Sequence, residues 1–170
     1  MSDFIPVIMG LTAYFLTKMI VTKIKHQKGI CKLSDIGFVK FSRISDTTCK
    51  IECSLKDISP GLHGLHVHEF GDLSNGCEST CSHYNPYNLE HGGARGKNRH
   101  QGDFGNVEAN EDGICFTSKI VDVNLDEIIG RALILHEDED DLGKQSNKQS
   151  KITGNAGKKI ACGVIGIGYK

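Results

Sequence analysis

Tryptophan is absent from the 170 residues, and helical periodicity is scarce after residue 28. With 20 glycines and short β-branched runs alternating with turn residues, these lacks argue against a helical bundle and for an all-β sandwich or barrel. Net charge is also missing, since 20 basic and 21 acidic residues leave −1 with histidine neutral. No basic stripe with interleaved aromatics runs along the chain, so nucleic acid is not an expected partner. There is no internal repeat, and the second of two long polar stretches is too mildly biased to be of low complexity. At this length one core with an appendage is expected rather than two domains.

Seven cysteines are too few for a disulfide-dense mini-protein, and an odd number cannot all pair within one chain. Cys31, Cys49, Cys53 and Cys115 lie in apolar or alternating runs and read as small buried hydrophobes. The first 28 residues differ from the rest. Their apolar run, Phe4 to Thr17, meets Lys18 and is followed by "TKIKHQK". A spanning helix wants about 20 apolar residues, a length reached here only if Lys18 snorkels. A cleaved signal normally starts with a basic region, whereas this one starts with Ser2 and Asp3 and lacks an Ala-x-Ala site. As an uncleaved anchor the segment contacts membrane, and Lys23, Lys25 and Lys28 hold the next domain on the cytosolic side. As a loosely packed extension it leaves the protein cytoplasmic. Both readings stay open, with secretion as a third, and the expected division is 1–28 extension, 29–170 folded domain.

In that domain "GICKL", "IGFVKFSRI" and "TTCKIECSL" read as strands joined by tight turns, and "ISPG" breaks the pattern before "GLHGLHVHEF". From Gly71 to Gly102 strand periodicity vanishes into a loop too long to be carried without function or disorder. "DFGNVEA", "ICFTSKI" and "RALILHE" resume it, and the polar stretch from Asp138 to Lys159 precedes a last apolar strand, "IACGVIGIG".

Residues two apart in a strand share a face, so His66 and His68 lie side by side. Neutral imidazole is the commonest metal ligand, although two half-exposed strand histidines would read the same way. Further donors decide the matter. In the long loop His83, His91, His100 and Asp103 offer four N/O donors, the tetrahedral habit of closed structural zinc. From strands, His66, His68 and His136 with one loop histidine make an all-nitrogen set suited to copper. A redox metal beside closed zinc points to electron transfer.

The blocks "GLHGLHVHEFGD", "HYNPYNLEHGG", "RHQGDFGNV", "IIGRALILHE", "DDLGK" and "TGNAGKKIACGVIGI" together resemble the copper/zinc superoxide dismutase family over about residues 29 to 168. The resemblance implies a Greek-key β-sandwich or barrel of about eight antiparallel strands with two long functional loops. It implies copper on His66, His68, His83 and His136, and zinc on His83, His91, His100 and Asp103, with His83 bridging both ions. Asp140 then links the rings of His66 and His91, Cys77 pairs with Cys162, and His63 is structural. Cys81 departs from the pattern: a Cys-x3-Cys beside His83 opens a different zinc site or disulfide exchange with Cys77. The implied activity is that of an antioxidant oxidoreductase, dismutation of superoxide to dioxygen and hydrogen peroxide by alternate reduction and oxidation of copper.

Lys159 stands where the family has its active-site arginine, and His83 and Lys159 are the expected catalytic pair. An ammonium keeps the charge but loses the planar fork, so anion docking should be less directional and activity reduced but substantial. Lys148 and Lys151 make the second loop more positive, either steering superoxide inward or merely solvating the loop. Ile129, Gly130, Val164 and Ile167 match regions from which family members build a homodimer, and a copper chaperone is an expected partner. Two alternatives are a zinc-stabilised protein that no longer turns over and a copper chaperone with a dismutase-like domain. The latter is expected to add a Cys-x-x-Cys domain and a Cys-x-Cys tail, which these residues lack, and the complete copper set favours catalysis.

Overall fold

The computed structural model describes residues 25–169. The apolar N-terminal run, with its anchor reading, lies outside the described residues; among the described residues no helix is long and apolar enough to cross a membrane. The described chain opens against the domain, where the His26 backbone N–H donates to Asp126 and Arg43 pairs with the same carboxylate.

Period-two burial builds the first sheet. In β3 (Thr48–Leu55) Cys49, Ile51, Cys53 and Leu55 point inward while the residues between them face outward or lie half-buried. It joins β1 (Lys28–Leu33), β2 (Gly37–Ser45), β7 (Cys115–Val121) and β10 (Gly166–Ile167) in the order β10-β1-β2-β3-β7. The second sheet contains β4 (Gly61–Val67), β6 (Asp103–Ala109), β8 (Ala132–His136) and β9 (Lys159–Val164) in the order β6-β4-β8-β9. All these pairings are antiparallel, and the chain changes sheet after β3, β6, β7 and β9, a Greek-key path. Nine strands thus form the sandwich. A further short strand, β5 (Ser74–Cys77), belongs to neither sheet and leads into a one-turn 3-10 helix, Glu78–Thr80. Single helical turns, α1 (Leu125–Ile128) and α2 (Ser150–Thr153), punctuate the later connections.

Alternation along β4 and β8 separates core from site. Leu65 pairs with Leu135 and Val67 with Leu133, and these four enter the core between the sheets. His66, paired with Ile134, therefore points with His136 to the other face, which the two long loops cover. Phe41 of β2 and Phe104 of β6 meet across the sandwich with ring centroids 6.4 Å apart. Cys31, Cys49, Cys53 and Cys115 are buried free thiols, as their runs led one to expect. Cys77 is bonded to Cys162 across 85 residues and ties the start of the long loop to β9.

Phe104 is fully buried, so Phe104→Ala removes a ring that both sheets pack against. The expected cost is about 3–5 kcal/mol by urea denaturation; a loss below about 1 kcal/mol would mean that the two sheets do not share this core.

Candidate metal centre

Two irregularities aim the strand histidines. The β4–β6 register shifts between Gly64 and His66, and the β8–β9 register shifts between Leu135 and His136. Such bulges redirect side chains next to sites. The long loop is laced to the same strand: Tyr84 N donates to Val67 O, Gly102 N to Tyr84 O, and Val67 N to Gly102 O, at 2.8–2.9 Å. His83 is thereby set opposite His68.

Two clusters result. Ligand atoms of His66, His68, His83 and His136 lie within 4.8 Å of one another, and so do those of His83, His91, His100 and Asp103. Every member is buried and His83 belongs to both, so the side chains singled out from sequence do come together.

Each strand histidine spends one ring nitrogen on the protein and aims the other inward. His66 Nε2–H donates to Asp140 (3.0 Å), His68 Nδ1–H to the Cys81 carbonyl (2.8 Å), and His136 Nδ1–H to the Gly157 carbonyl (3.2 Å). The inward atoms of His68 and His136 approach to 3.4 Å, and those of His66 and His83 have no hydrogen-bond partner. In the second cluster Asp103 Oδ1 sits 2.9, 3.0 and 3.2 Å from Nδ1 of His83, His91 and His100. His91 Nδ1 is close to Oδ1 yet out of hydrogen-bond alignment, so this contact is charge attraction rather than a directed bond. Asp103 Oδ2 accepts from the backbone of Gly92 and His100, which fixes the carboxylate and leaves Oδ1 facing the rings. Buried polar atoms without partners are costly unless a ligand satisfies them. Three such atoms, on His66, His83 and His91, point into these clusters, and the donor sets fit a metal ion in each.

Asp140 joins the two clusters, accepting from His66 through Oδ2 and from His91 through Oδ1 at 2.7 Å. Sequence reasoning found Asp140 but missed its supports. Asn106 accepts from Asp140 N and donates to Asp140 O. Gly154, at φ +66, lies where a Cβ would collide with Asp140 Oδ1 and His91 Nε2, so only glycine lets the second loop close over the pair. The glycines of "TGNAG" were the available signal.

Burial first, then the charge on His83, holds His66 well below its ordinary value. Burial likewise lowers His68 and His83, and brings His136 down to about 4. His91 goes the other way: burial opposes its charge, but Asp103 and Asp140 outweigh it and push the ring up to about 9. Burial works against ionisation of Asp103 and Asp140 too, yet hydrogen bonds from the surrounding imidazoles hold both below the usual carboxylate range.

Lys159 completes the surroundings. Its Nζ donates to Cys77 O (3.1 Å), Cys81 O (3.0 Å) and Thr80 Oγ1 (3.3 Å). An ammonium has three protons, and here each has a protein acceptor.

The copper/zinc superoxide dismutase family model matches residues 36–165. The chain belongs to that family. Among curated proteins this dismutase-like chain is 46% identical over 130 residues to the Homo sapiens copper chaperone for superoxide dismutase, and 47% identical over 131 residues to the Mus musculus one. In both cases the match covers 76% of this chain and 47% of the relative, so the chain spans about half the length of the curated relatives it matches. A crystal structure of the clock protein EA4 superposes with a TM-score of 0.81 at 41% identity, covering 85% of this chain and 96% of that one.

These relatives correct the expectation of a catalytic dismutase. They are named as copper chaperones, and the assignment as an antioxidant oxidoreductase with His83 and Lys159 as catalytic pair does not stand. The structure adds that Lys159, expected to meet the substrate anion, is instead engaged by three protein acceptors. Lys151, expected to steer superoxide or to solvate the loop, donates instead to Gly143 O at 2.6 Å.

Asp140→Ala leaves two metal-facing rings without their outer partner, and the expected loss is about 10–100-fold in zinc affinity by chelator competition. An unchanged affinity would mean that the carboxylate orients neither ring. His136 contributes stability fully present above its unfolded value of 6.5 and lost as pH falls toward about 4; His91 contributes stability lost as pH rises through about 9. Thermal unfolding of metal-free protein should therefore give a midpoint that falls on either side of a maximum near pH 6.5, and a curve flat from 6.5 to 4 would contradict the buried-neutral state of His136.

Proposed function

We propose that this chain is the dismutase-like part of a copper chaperone serving a superoxide dismutase. Copper is its cargo, taken on His66, His68, His83 and His136, and zinc is its resident structural ion, on His83, His91, His100 and Asp103. The observation that carries the reading is the identity of 46–47% to proteins named for that task, over three quarters of the chain.

The site geometry supports it. A resident zinc would supply structural cross-linking of the long loop. The copper-side rings are held unequally: His66 is fixed by a buried carboxylate, whereas His68 and His136 rest on the loop carbonyls of Cys81 and Gly157. A cage in which two strand histidines are braced only by loop carbonyls can give up an ion in stages, because those rings can turn when the loops move while His66 stays in place. The client would be met on the flank matching the family's dimer regions. There Val164 is 41% and Ile167 61% exposed, beside Ile129 and Gly130. A client of the same fold presents the equivalent patch, so a pseudo-two-fold pairing is the expected arrangement.

The test loads the full-length protein with copper and zinc and mixes it with zinc-loaded, copper-free superoxide dismutase. Copper should move to the dismutase, and superoxide turnover should appear in that fraction alone. Copper retained by the chain in the presence of the client, or turnover at dismutase rates without it, would overturn the reading. Retention of zinc by a protein that never takes copper would replace it with a purely zinc-stabilised role.

A further inference from the structure

A trio of sulfur atoms lies beside the cages without belonging to them. Cys77 and Cys162 form the disulfide, both only partly buried, and Cys81 is a free, exposed thiol. Cys77 and Cys81 flank the 3-10 turn Glu78–Thr80 at its two ends. The Lys159 ammonium draws those ends together, with Cys77 O at 3.1 Å and Cys81 O at 3.0 Å from the same Nζ. Cys31, Cys49, Cys53 and Cys115 are enclosed in the core, so among the described free thiols Cys81 alone has both solvent access and a neighbouring disulfide. The carbonyl of Cys81 is also the acceptor that orients His68.

We propose that Cys81 exchanges with the Cys77–Cys162 disulfide. The Cys81 thiolate attacks Cys77 Sγ, the new Cys77–Cys81 bond forms as the Cys77–Cys162 bond breaks, and Cys162 leaves as a thiolate that takes up the proton Cys81 lost. Sulfur oxidation is conserved, so no outside oxidant or reductant is consumed. The product carries a local bridge around one turn in place of the covalent tie from the long loop to β9. Cys81 must turn to make that bridge, which loosens its carbonyl from His68 and slackens one copper-side donor. This last consequence rests on the copper reading above; the exchange of sulfurs does not.

The experiment equilibrates the full-length, zinc-loaded protein in a glutathione redox buffer, quenches with acid, alkylates free thiols and maps disulfide-linked peptides. The expected result is a minor population in which Cys162 is alkylated while Cys77 and Cys81 are joined. Cys81→Ser, a change at an exposed position, should lower Cys162 alkylation severalfold. Equal Cys162 alkylation in the two proteins, or no Cys77–Cys81 peptide, overturns the exchange. With copper bound, release to a chelator should be severalfold slower in C81S than in the wild type, with or without glutathione, because the exchange is internal to the chain. Equal release with thiols present, while the Cys77–Cys81 peptide forms, overturns the coupling to His68. Failure of either protein to bind copper sinks the copper reading and leaves the peptide map to decide the exchange.

Discussion

The arrangement depends on one buried carboxylate. Asp140 is inaccessible to solvent and binds a ring from each metal cluster, so the orientation of His66 cannot change without disturbing His91. The fold fixes Asp140 in turn through Asn106 and through the Leu142 backbone, which donates to Oδ1. Burying such a group is unfavourable unless charge and hydrogen bonds compensate it. In the metal-free protein at neutral pH, Asp103 and Asp140 are ionised and His91 carries a compensating proton, while burial keeps His66, His68 and His136 neutral. A divalent ion among His83, His91, His100 and Asp103 would displace the His91 proton and satisfy the unpartnered His91 Nδ1, which couples metal binding to proton release.

Much of this was legible in the residues themselves because two periodicities coincide. Along "LHVH" the alternation that sends Leu65 and Val67 into the core also sends His66 and His68 outward together, so the hydrophobic pattern and the ligand pattern are one pattern read on two faces. The strands of the sandwich followed from the same rule, and the buried cysteines from the runs that hold them. What escaped was whatever depends on backbone atoms. The Cys81 and Gly157 carbonyls that orient His68 and His136 leave no mark in side-chain chemistry, and β5 with its 3-10 turn lies in a loop whose polar composition hides it. Gly154 is intermediate: its glycine is visible, but the collision it avoids exists only after two loops have met.

Function escaped for a related reason. A ligand set states which ions a site can hold, not whether a substrate can reach them in a reactive geometry. The complete set of histidines pointed to turnover, whereas the relatives are named as copper chaperones, and what the structure adds is how many donors the cation at position 159 has and what already engages them. A guanidinium presents five N–H donors in a planar fork, so it can satisfy loop carbonyls and still offer hydrogen bonds outward. The ammonium of Lys159 presents three, and Cys77 O, Cys81 O and Thr80 Oγ1 take them all. Three protein acceptors therefore compete with any anion for this ammonium.

The same three bonds account for what the lysine does instead. Cys81 O accepts from both Lys159 and His68, filling the two lone pairs of that carbonyl, so the ammonium and the copper-side ring are held by one oxygen. Through Cys77 O the ammonium also grips the residue whose sulfur is bonded to Cys162, three positions along β9 from Lys159 itself. Covalent tie, ammonium and imidazole thus form a continuous physical connection from β9 to the cluster of His66, His68, His83 and His136, and a change in sulfur pairing has a route by which to reach one of its rings.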